Sequence, residues 1–356
     1  MRVWIDVREA CKPRKTGKGQ WTFRATEALL ERADVEATLL TDGHLPEGWM
    51  ATPGFKRAAR VPGSGFAWHV NAWRMVKRRR DDVDVYLSPT SFIVPFLLGR
   101  SVPTVIVVHD LIAFRDEPHD RKARFIERMT LPRSLSTAAA TCCVSEATAD
   151  ALRDRFPAAK GAFVVHAGPT AGVARSWTGA GDHVLCVGTL CPRKNQLRLI
   201  EAFARMNPFH GKPARLLLVG GRGWDDEAIV RRAKDVHGVE WLGFQDDASL
   251  ATLLRECRAF ALVSEEEGFG LPILDALRVG APVLASDIPT SREVAADCAT
   301  YVDPFDVDAI ARGLDHVLSA DPPSPAAVDA QTSRFTWAAT AERLLEACGR
   351  AVDKRR

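Results

Sequence analysis

The chain contains 356 residues, and 46% of them are hydrophobic, which is enough for two globular domains that each bury a full core. The formal net charge of +3 is too small to predict nucleic-acid binding by itself. The 8 cysteines form no C-x-x-C pair, so we expect reduced thiols of a cytoplasmic protein rather than a disulfide framework or a zinc site.

The first predicted strand, residues 3–7, is followed by a basic, glycine-containing loop and then by a helix. This loop, residues 14–21, carries Gly17 and Gly19 among lysine and arginine side chains. A loop of this kind between a strand and a helix can bind phosphate. Because its spacing is neither that of a dinucleotide-binding loop nor that of a P-loop, a flexible surface turn is the alternative interpretation.

Residues 67–80 mix aromatic and basic side chains at helical spacing. Trp68, Trp73 and the arginines at 78–80 suit a helix that lies on an anionic membrane. An ordinary amphipathic helix with a basic C-terminal end is the alternative. The longest apolar run, near residues 92–98, is too short to span a bilayer. We therefore expect a cytoplasmic protein with peripheral contact to the inner face of the cytoplasmic membrane.

A β-branched strand predicted over residues 102–108 ends at His109. Ligands of open α/β sheets bind at the carboxyl ends of the strands, so His109 is a candidate contact for a ligand. A purely structural histidine is the alternative. Residues 168–182 are rich in Gly, Ala and Thr and predict a linker between two domains.

After this linker, a predicted strand over residues 183–187 leads into Gly188 and Thr189 and then into two adjacent cations, Arg193 and Lys194. Two cations at a strand-to-helix turn suit a diphosphate leaving group. Arginine can bind phosphate through two parallel hydrogen bonds, and lysine acts as a point charge. Solvated surface cations are the alternative.

The most informative stretch is residues 264–277, where an acidic turn joins an apolar strand to a helix. The turn around Gly270 leaves backbone N–H groups at the helix start, which is a site for an anion such as a diphosphate. Glu267 precedes this helix and Asp275 lies inside it, so both carboxylates can face a ligand at the helix start. A simple helix cap with a solvated acidic face is the alternative.

Residues 267–276, Glu-Gly-Phe-Gly-Leu-Pro-Ile-Leu-Asp-Ala, resemble the E-x7-E signature of retaining glycosyltransferases of family 4. In that family the second acid is usually glutamate, whereas here it is Asp275. Residues 187–195 are similar to a second signature of the same family. The resemblance implies the GT-B fold, an α/β architecture of two Rossmann-like, doubly wound domains that face a central cleft.

The resemblance also implies a division of the chain. Residues 1–172 correspond to an N-terminal acceptor-binding domain, and residues 173–334 to a C-terminal domain that binds a nucleotide-sugar. Residues 335–356 correspond to a helix that crosses back toward the N-terminal domain.

By resemblance, the sugar and the leaving diphosphate contact the catalytic residues Glu267, His109, Arg193 and Lys194. The donor-binding residues are Gly17, Gly19, Gly188, Thr189, Leu242, Phe269, Gly270, Leu271 and Asp275. The implied reaction moves a hexose from a GDP- or UDP-sugar, with GDP-mannose as the first choice, to a hydroxyl of a lipid-linked or oligosaccharide acceptor. Such a reaction serves the assembly of a surface polysaccharide or glycolipid. It retains the anomeric configuration and involves no nucleic acid.

No metal and no cofactor are expected. The chain contains two D-x-D tripeptides, at residues 82–84 and 306–308, which match the metal-binding signature of a different glycosyltransferase fold. This tripeptide is common, and the first copy lies outside the predicted nucleotide-binding half. The diphosphate must then be neutralised by cationic side chains and backbone N–H groups.

Two other functions fit the same architecture. The first is a nucleotide-sugar epimerase, which needs no acceptor. The second is a catalytically inactive partner subunit, because Asp275 replaces the usual glutamate and Thr189 stands where many family members carry an arginine.

Overall fold

The computed structural model describes residues 1–115, 121–159, 161–170, 175–206 and 215–354. The chain divides into two compact units. Unit 1 comprises Met1–Gly168 together with Phe335–Arg356, and unit 2 comprises Pro169–Arg334.

Unit 1 is built on a seven-stranded sheet in which every strand pair is parallel. Its strands are β1 (Arg2–Asp6), β2 (Glu36–Thr41), β3 (Phe55–Arg60), β4 (Val85–Ser88), β5 (Thr104–Val108), β6 (Ala140–Cys143) and β7 (Phe163–Val164). They lie in the order β3-β2-β1-β4-β5-β6-β7. The chain therefore reverses its direction of growth between β1 and β4, the place where open α/β sheets bind ligands.

Five helices connect these strands: α1 (Gly17–Leu30), α2 (Gly65–Arg78), α3 (Ile93–Leu98), α4 (Arg121–Thr137) and α5 (Glu146–Arg155). Helix α1 begins at Gly17, so Gly17 and Gly19 lie in its first turn and not in a loop as predicted. The reason is a cap: the Thr16 side chain accepts a hydrogen bond from the Gly19 N–H at 3.4 Å. The predicted cap at Ser145 is present, with the Thr148 N–H donating to its hydroxyl at 3.0 Å.

Helix α2 departs from the prediction of an interfacial helix with tryptophans at the membrane. Trp68 is fully buried in the core formed by β1, α2, α3 and β4, and Trp73 packs against the same core while half-buried. The Trp68 ring therefore cannot enter a bilayer, and this part of the prediction is wrong. The arginines at 78–80 are exposed.

Unit 2 is built on a six-stranded parallel sheet. Its strands are β8 (His183–Val187), β9 (Arg215–Val219), β10 (Val239–Gly243), β11 (Ala259–Leu262), β12 (Val283–Ser286) and β13 (Thr300–Val302), in the order β10-β9-β8-β11-β12-β13. Its helices are α6 (Gln196–Arg205), α7 (Glu227–Asp235), α8 (Asp247–Glu256), α9 (Leu271–Val279), α10 (Pro289–Ala295), α11 (Val307–Ser319) and α12 (Pro325–Thr332). Here the direction of growth reverses between β8 and β11, so the segments that follow these two strands meet.

The last helix, α13 (Trp337–Asp353), belongs to unit 1. The Thr340 hydroxyl donates to the backbone carbonyl of His166 at 2.5 Å, and Lys354 Nζ donates to the carbonyl of Ala139 at 3.0 Å. Gly168 lies against this helix so closely that a Cβ there would stand 2.7 Å from the backbone nitrogen of Trp337. Among the described helices, none has both the length and the apolarity needed to cross a membrane.

Candidate active site

The candidate site of unit 2 is formed by the segments that follow β8 and β11. These strands are neighbours in the sheet, with Phe260 beside Leu185. Since both strands are parallel, their carboxyl ends lie at the same edge of the sheet. The segment after β8 carries Arg193 and Lys194, and the segment after β11 carries Glu267. The fold thus brings the two sequence signatures together.

Glu267 contacts both predicted cations. Lys194 Nζ lies 2.5 Å from Glu267 Oε1, and Arg193 NH1 lies 3.5 Å from Glu267 Oε2. The three side chains are largely buried, with exposed fractions of 12%, 15% and 8% for Lys194, Arg193 and Glu267. The interpretation of these cations as solvated surface charges is therefore wrong.

Opposing effects set the ionisation of Glu267. Burial alone raises its pKa, but Lys194 and Arg193 outweigh burial and hold the pKa below the usual value of a glutamate. Glu267 is consequently ionised at neutral pH. Two cations thus meet the single carboxylate of Glu267, an arrangement that suits the binding of a diphosphate.

Asn195, which sequence reasoning placed in the signature without a role, fixes this arrangement. It has a left-handed backbone with φ of 58°. Its side-chain amide donates to the carbonyl of Val263 at 2.8 Å and to that of Pro304 at 2.7 Å. These bonds tie the turn that carries Lys194 to the carboxyl end of β11. An Asn directly after two cations at the start of a helix is the sequence signal that could have identified it, since Asn tolerates the left-handed region.

Gly188 and Thr189 line the start of the same turn. A Cβ at Gly188 would stand 3.4 Å from the side chain of Lys194, an ordinary van der Waals contact, so Gly188 lies directly against the lysine stem. Gln196 donates to the Thr189 carbonyl at 3.1 Å. The neighbouring Gly220 was not predicted, yet its φ is +146° and a Cβ there would stand 2.1 Å from the Gly188 carbonyl oxygen.

Helix α9 starts beside Glu267. Gly270 has a left-handed backbone, with φ of 99°, and forms the N-terminal cap without a side-chain hydrogen bond. Leu271 is the first residue of the helix, and the Phe269 ring is buried, with 6% exposed. Leu242 lies apart from this group, in the edge strand β10.

Asp275 has a definite partner within unit 2. Its side chain is buried, with 4% exposed, and its Oδ1 accepts a hydrogen bond from the Thr170 N–H at 2.8 Å. The Thr170 hydroxyl donates to the other oxygen, Oδ2. Both carboxylate oxygens of Asp275 thus accept hydrogen bonds from Thr170.

The predicted site residues of unit 1 are His109, Gly17 and Gly19. His109 follows β5, and its Nε2 lies 2.8 Å from the Pro89 carbonyl, so Nε2 carries the proton and donates. Burial and the nearby Lys18 lower the pKa of His109 to about 4, so the ring is neutral. The Trp21 ring of α1 meets it edge to face, with centroids 5.2 Å apart.

In the part of the chain that the structure describes, no group of three or more His, Cys, Asp or Glu side chains is arranged to hold a metal ion. Asp84 instead pairs with Arg2 at 2.6 Å. Asp306 caps α11 by accepting from the N–H groups of Asp308 and Ala309. The D-x-D acids therefore serve as ion-pair and capping residues.

Comparison with known proteins identifies the two halves of the chain. Residues 179–334 match the family described as Glycosyl transferases group 1, and residues 21–168 match Glycosyltransferase Family 4. O-antigen chain mannosyltransferase B of Escherichia coli is 30% identical over 299 residues, which cover 75% of this chain and 76% of that relative. This chain belongs to the group 1, family 4 glycosyltransferases.

Further relatives and solved structures agree. The serotype-specific mannosyltransferase WbdA of Escherichia coli is 29% identical over 171 residues, covering 47% of this chain and 21% of WbdA. The fold matches the crystal structure of Anabaena Alr3699/HepE in complex with UDP and glucose, with a TM-score of 0.74, 17% identity, and coverage of 98% and 99% of the two chains. The GT-B fold, the family and glycosyltransferase activity predicted from the sequence are confirmed.

Proposed function

We propose that this glycosyltransferase transfers mannose from GDP-mannose to a hydroxyl of a lipid-linked or oligosaccharide acceptor, with retention at the anomeric carbon. The observation that carries the proposal is the buried contact of Lys194 and Arg193 with Glu267 at the carboxyl ends of β8 and β11. The choice of mannose, and of an acceptor that belongs to a surface polysaccharide or glycolipid, is supported by the mannosyltransferase relatives.

The chemistry assigns a different task to each charge. The bond between the anomeric carbon and the diphosphate oxygen breaks, and Lys194 and Arg193 stabilise the negative charge that develops on the diphosphate. Glu267, ionised by its two cations, stabilises the positive charge that develops on the sugar ring. The acceptor oxygen forms its bond on the face that the diphosphate leaves, and its proton passes to the leaving diphosphate.

The cationic side chains of the candidate site support a reaction without metal. Two buried cations and the backbone N–H groups at the start of α9 supply positive charge at the leaving group. A divalent cation is not needed for this neutralisation. The proposal therefore includes metal-independent transfer, and activity in EDTA is its test. Loss of activity on chelation, with recovery on adding Mn²⁺ or Mg²⁺, contradicts it.

A two-step experiment tests the function. Thermal-shift screening of nucleotide-sugars and nucleoside diphosphates identifies the donor, because a ligand at about 100 times its Kd adds roughly 2.7 kcal/mol to the free energy of unfolding. Transfer from that donor to mannosyl acceptors is then followed, and NMR of the product reports the anomeric configuration. Product with the inverted configuration contradicts the retaining mechanism.

The same assay without acceptor distinguishes the two alternatives. An epimerase converts the donor into its epimer without any acceptor. An inactive partner subunit neither transfers the sugar nor hydrolyses the donor, whereas a glycosyltransferase hydrolyses the donor slowly.

Peripheral contact with an anionic membrane is also part of the proposal. Its support is now electrostatic, because Trp68 is buried and the exposed arginines at 78–80 lie at the C-terminal end of α2. Phe66 of the same helix is 67% exposed and supplies an apolar contact.

A further inference from the structure

Unit 1 contains a polar cluster at its own topological switch point, separate from the predicted site residues. Asp6 ends β1 and Arg8 follows it, while Ser91 lies just after β4. His69 joins them from α2. Strands β1 and β4 are adjacent, so these residues gather at one edge of the sheet.

Arg8 is held by neutral partners. Its guanidinium lies over the Trp68 ring, 4.4 Å from the centroid, and its NH2 lies 3.1 Å from His69 Nε2. Because an arginine N–H always donates, His69 Nε2 is the acceptor. His69 Nδ1 then carries the ring proton and donates to the Gly65 carbonyl at 2.9 Å. Burial and the Arg8 charge lower the pKa of His69 to about 4, in agreement with a neutral ring.

The charge of Arg8 has no direct counter-ion. Within the described residues, no carboxylate forms a salt bridge with Arg8, and its Nε is buried without a hydrogen-bond partner. Asp6 is the nearby acid, but its Oδ1 accepts the backbone N–H of Arg8 at 3.1 Å, not the guanidinium. The other oxygen, Oδ2, is buried without a partner, and Asp6 is only 1% exposed.

A half-buried guanidinium without a counter-ion is costly, because the desolvation of a charge is normally offset by a paired anion. Stacking on Trp68 and the hydrogen bond to His69 fix the orientation of the Arg8 guanidinium before a ligand binds. Little side-chain entropy is therefore lost on binding. A fixed guanidinium with donors left over matches the geometry of a phosphate group.

We propose that Arg8, positioned by Trp68 and His69, binds a phosphate or diphosphate group of the acceptor through the guanidinium N–H groups that His69 does not use. The Ser91 hydroxyl donates to the same His69 Nε2 at 3.2 Å, so it helps to hold the ring that positions Arg8. Assignment of this anion to the acceptor rests on the proposed glycosyl transfer, whereas binding of the anion does not. The phosphate belongs either to a lipid diphosphate or to a phosphorylated sugar.

Arg57 provides a matched control. Like Arg8 it lies over a tryptophan of unit 1, with the guanidinium 5.2 Å from the Trp4 centroid. Unlike Arg8 it has a carboxylate partner, Asp82, at 4.0 Å. Arg57→Gln therefore removes an equivalent charge and an equivalent stacking contact without touching the cluster.

The binding experiment uses calorimetric titration with a short-chain alkyl diphosphate and with mannose 6-phosphate. All proteins carry Lys194→Ala, which weakens the competing diphosphate site of unit 2. We expect Arg8→Gln to weaken binding of at least one probe tenfold or more, and Arg57→Gln to leave it unchanged. Arg8→Lys, which keeps the charge but loses the fork, should give an intermediate affinity and guards against a folding defect. The preferred probe identifies the source of the phosphate.

Equal affinities of the Arg8→Gln and Arg57→Gln proteins for both probes overturn the proposal. So does binding of the uncharged alkyl alcohol as tightly as its diphosphate. In the otherwise wild-type enzyme, Arg8→Gln should raise the acceptor KM tenfold or more for a phosphate-bearing acceptor, with kcat within twofold and a neutral acceptor unaffected. Arg8-dependent binding without any transfer to any acceptor would refute the proposed function and leave the anion site intact.

Discussion

At the scale of single residues, the ion pair of Lys194 and Glu267 links charge to chemistry. Both side chains are largely buried, and the attraction between them offsets the cost of removing each charge from water. Removing one partner therefore leaves an uncompensated buried charge. The pair therefore matters twice, once for the leaving diphosphate and once for the ionisation of Glu267. The two roles can be separated by experiment.

Lys194→Ala should lower kcat by about 100-fold, because one electrostatic contact to the transition state is lost. It should also move the acidic limb of the pH–rate profile to higher pH, since burial raises the pKa of Glu267 and, without Lys194, fewer groups oppose that rise. Arg232→Gln is the control, because Arg232 pairs with Glu201 at 2.7 Å and lies outside the site. A kcat within a few-fold of the wild type for Lys194→Ala would rule out the assigned role.

Glu267 should also make stability depend on pH. The folded-state pKa of Glu267 is lower than the usual 4.5 of a glutamate, so the ionised form stabilises the native state. This contribution is fully present above pH 4.5 and is lost as the pH falls through the lower folded pKa. Urea unfolding of the wild type and of Glu267→Gln should give curves that converge as the pH is lowered through this window. A difference in unfolding free energy that stays constant with pH would show that groups other than Glu267 cause the pH dependence.

The contacts of Asp275 differ from the donor-binding role that the family resemblance implies for this position. The position of the second acid predicts a contact to the donor ribose, whereas in unit 2 both carboxylate oxygens bond to Thr170. We expect Thr170→Val and Asp275→Asn each to lower the free energy of unfolding by about 1.5–3 kcal/mol, and the double variant to cost no more than the larger single loss. Asp275→Glu should also destabilise the protein, because the longer side chain does not fit the packed position.

Donor kinetics provides the contrast for this prediction. If Asp275→Asn raises the donor KM while Thr170→Val does not, the ribose contact is the main role of the carboxylate. Additive losses in the double variant would show that the two side chains act independently.

At the scale of elements, the strands and the loops that follow them could be predicted, whereas positions set by distant packing could not. The period of apolar residues placed β5 and β8, and the paired signatures placed Arg193, Lys194 and Glu267 at one site. The burial of Trp68 follows from the packing of α2 against the core of unit 1, which no local pattern contains. The start of α1 depends on the hydroxyl cap of Thr16, which the two glycines that follow it obscured.

Gly220 illustrates a site determinant without a sequence signal. It follows β9, and a Cβ there would collide with the Gly188 carbonyl that begins the turn of Lys194. Gly220→Ala should therefore shift this turn and raise the donor KM at least tenfold. Gly221→Ala is the matched control, because a Cβ at Gly221 meets nothing within 4 Å. Equal donor KM values for the two variants would show that the turn accommodates the added methyl group without loss of donor binding.

At the scale of the whole molecule, the distribution of charged residues over the surface bears on the proposed membrane contact. The net charge of +3 is small, yet exposed arginines are concentrated at the end of α2. Asp81 lies beside this cluster, 4.0 Å from Arg80, and reduces its local charge. Arg78 and Arg79 are therefore the residues on which an electrostatic contact with a membrane depends.

Arg78→Gln with Arg79→Gln should weaken sedimentation with anionic vesicles by about 2 kcal/mol, since each basic residue near the surface contributes about 1 kcal/mol. Binding of the wild type should fall as salt is raised, because the attraction is screened within about 10 Å at 0.1 M. The comparison variant carries Phe125→Ser and Met129→Ser on α4, whose side chains are 66% and 57% exposed. Loss of binding in that variant, with normal binding of the arginine variant, would move the contact from α2 to α4. Absence of wild-type binding at low salt would remove membrane contact from the proposed function.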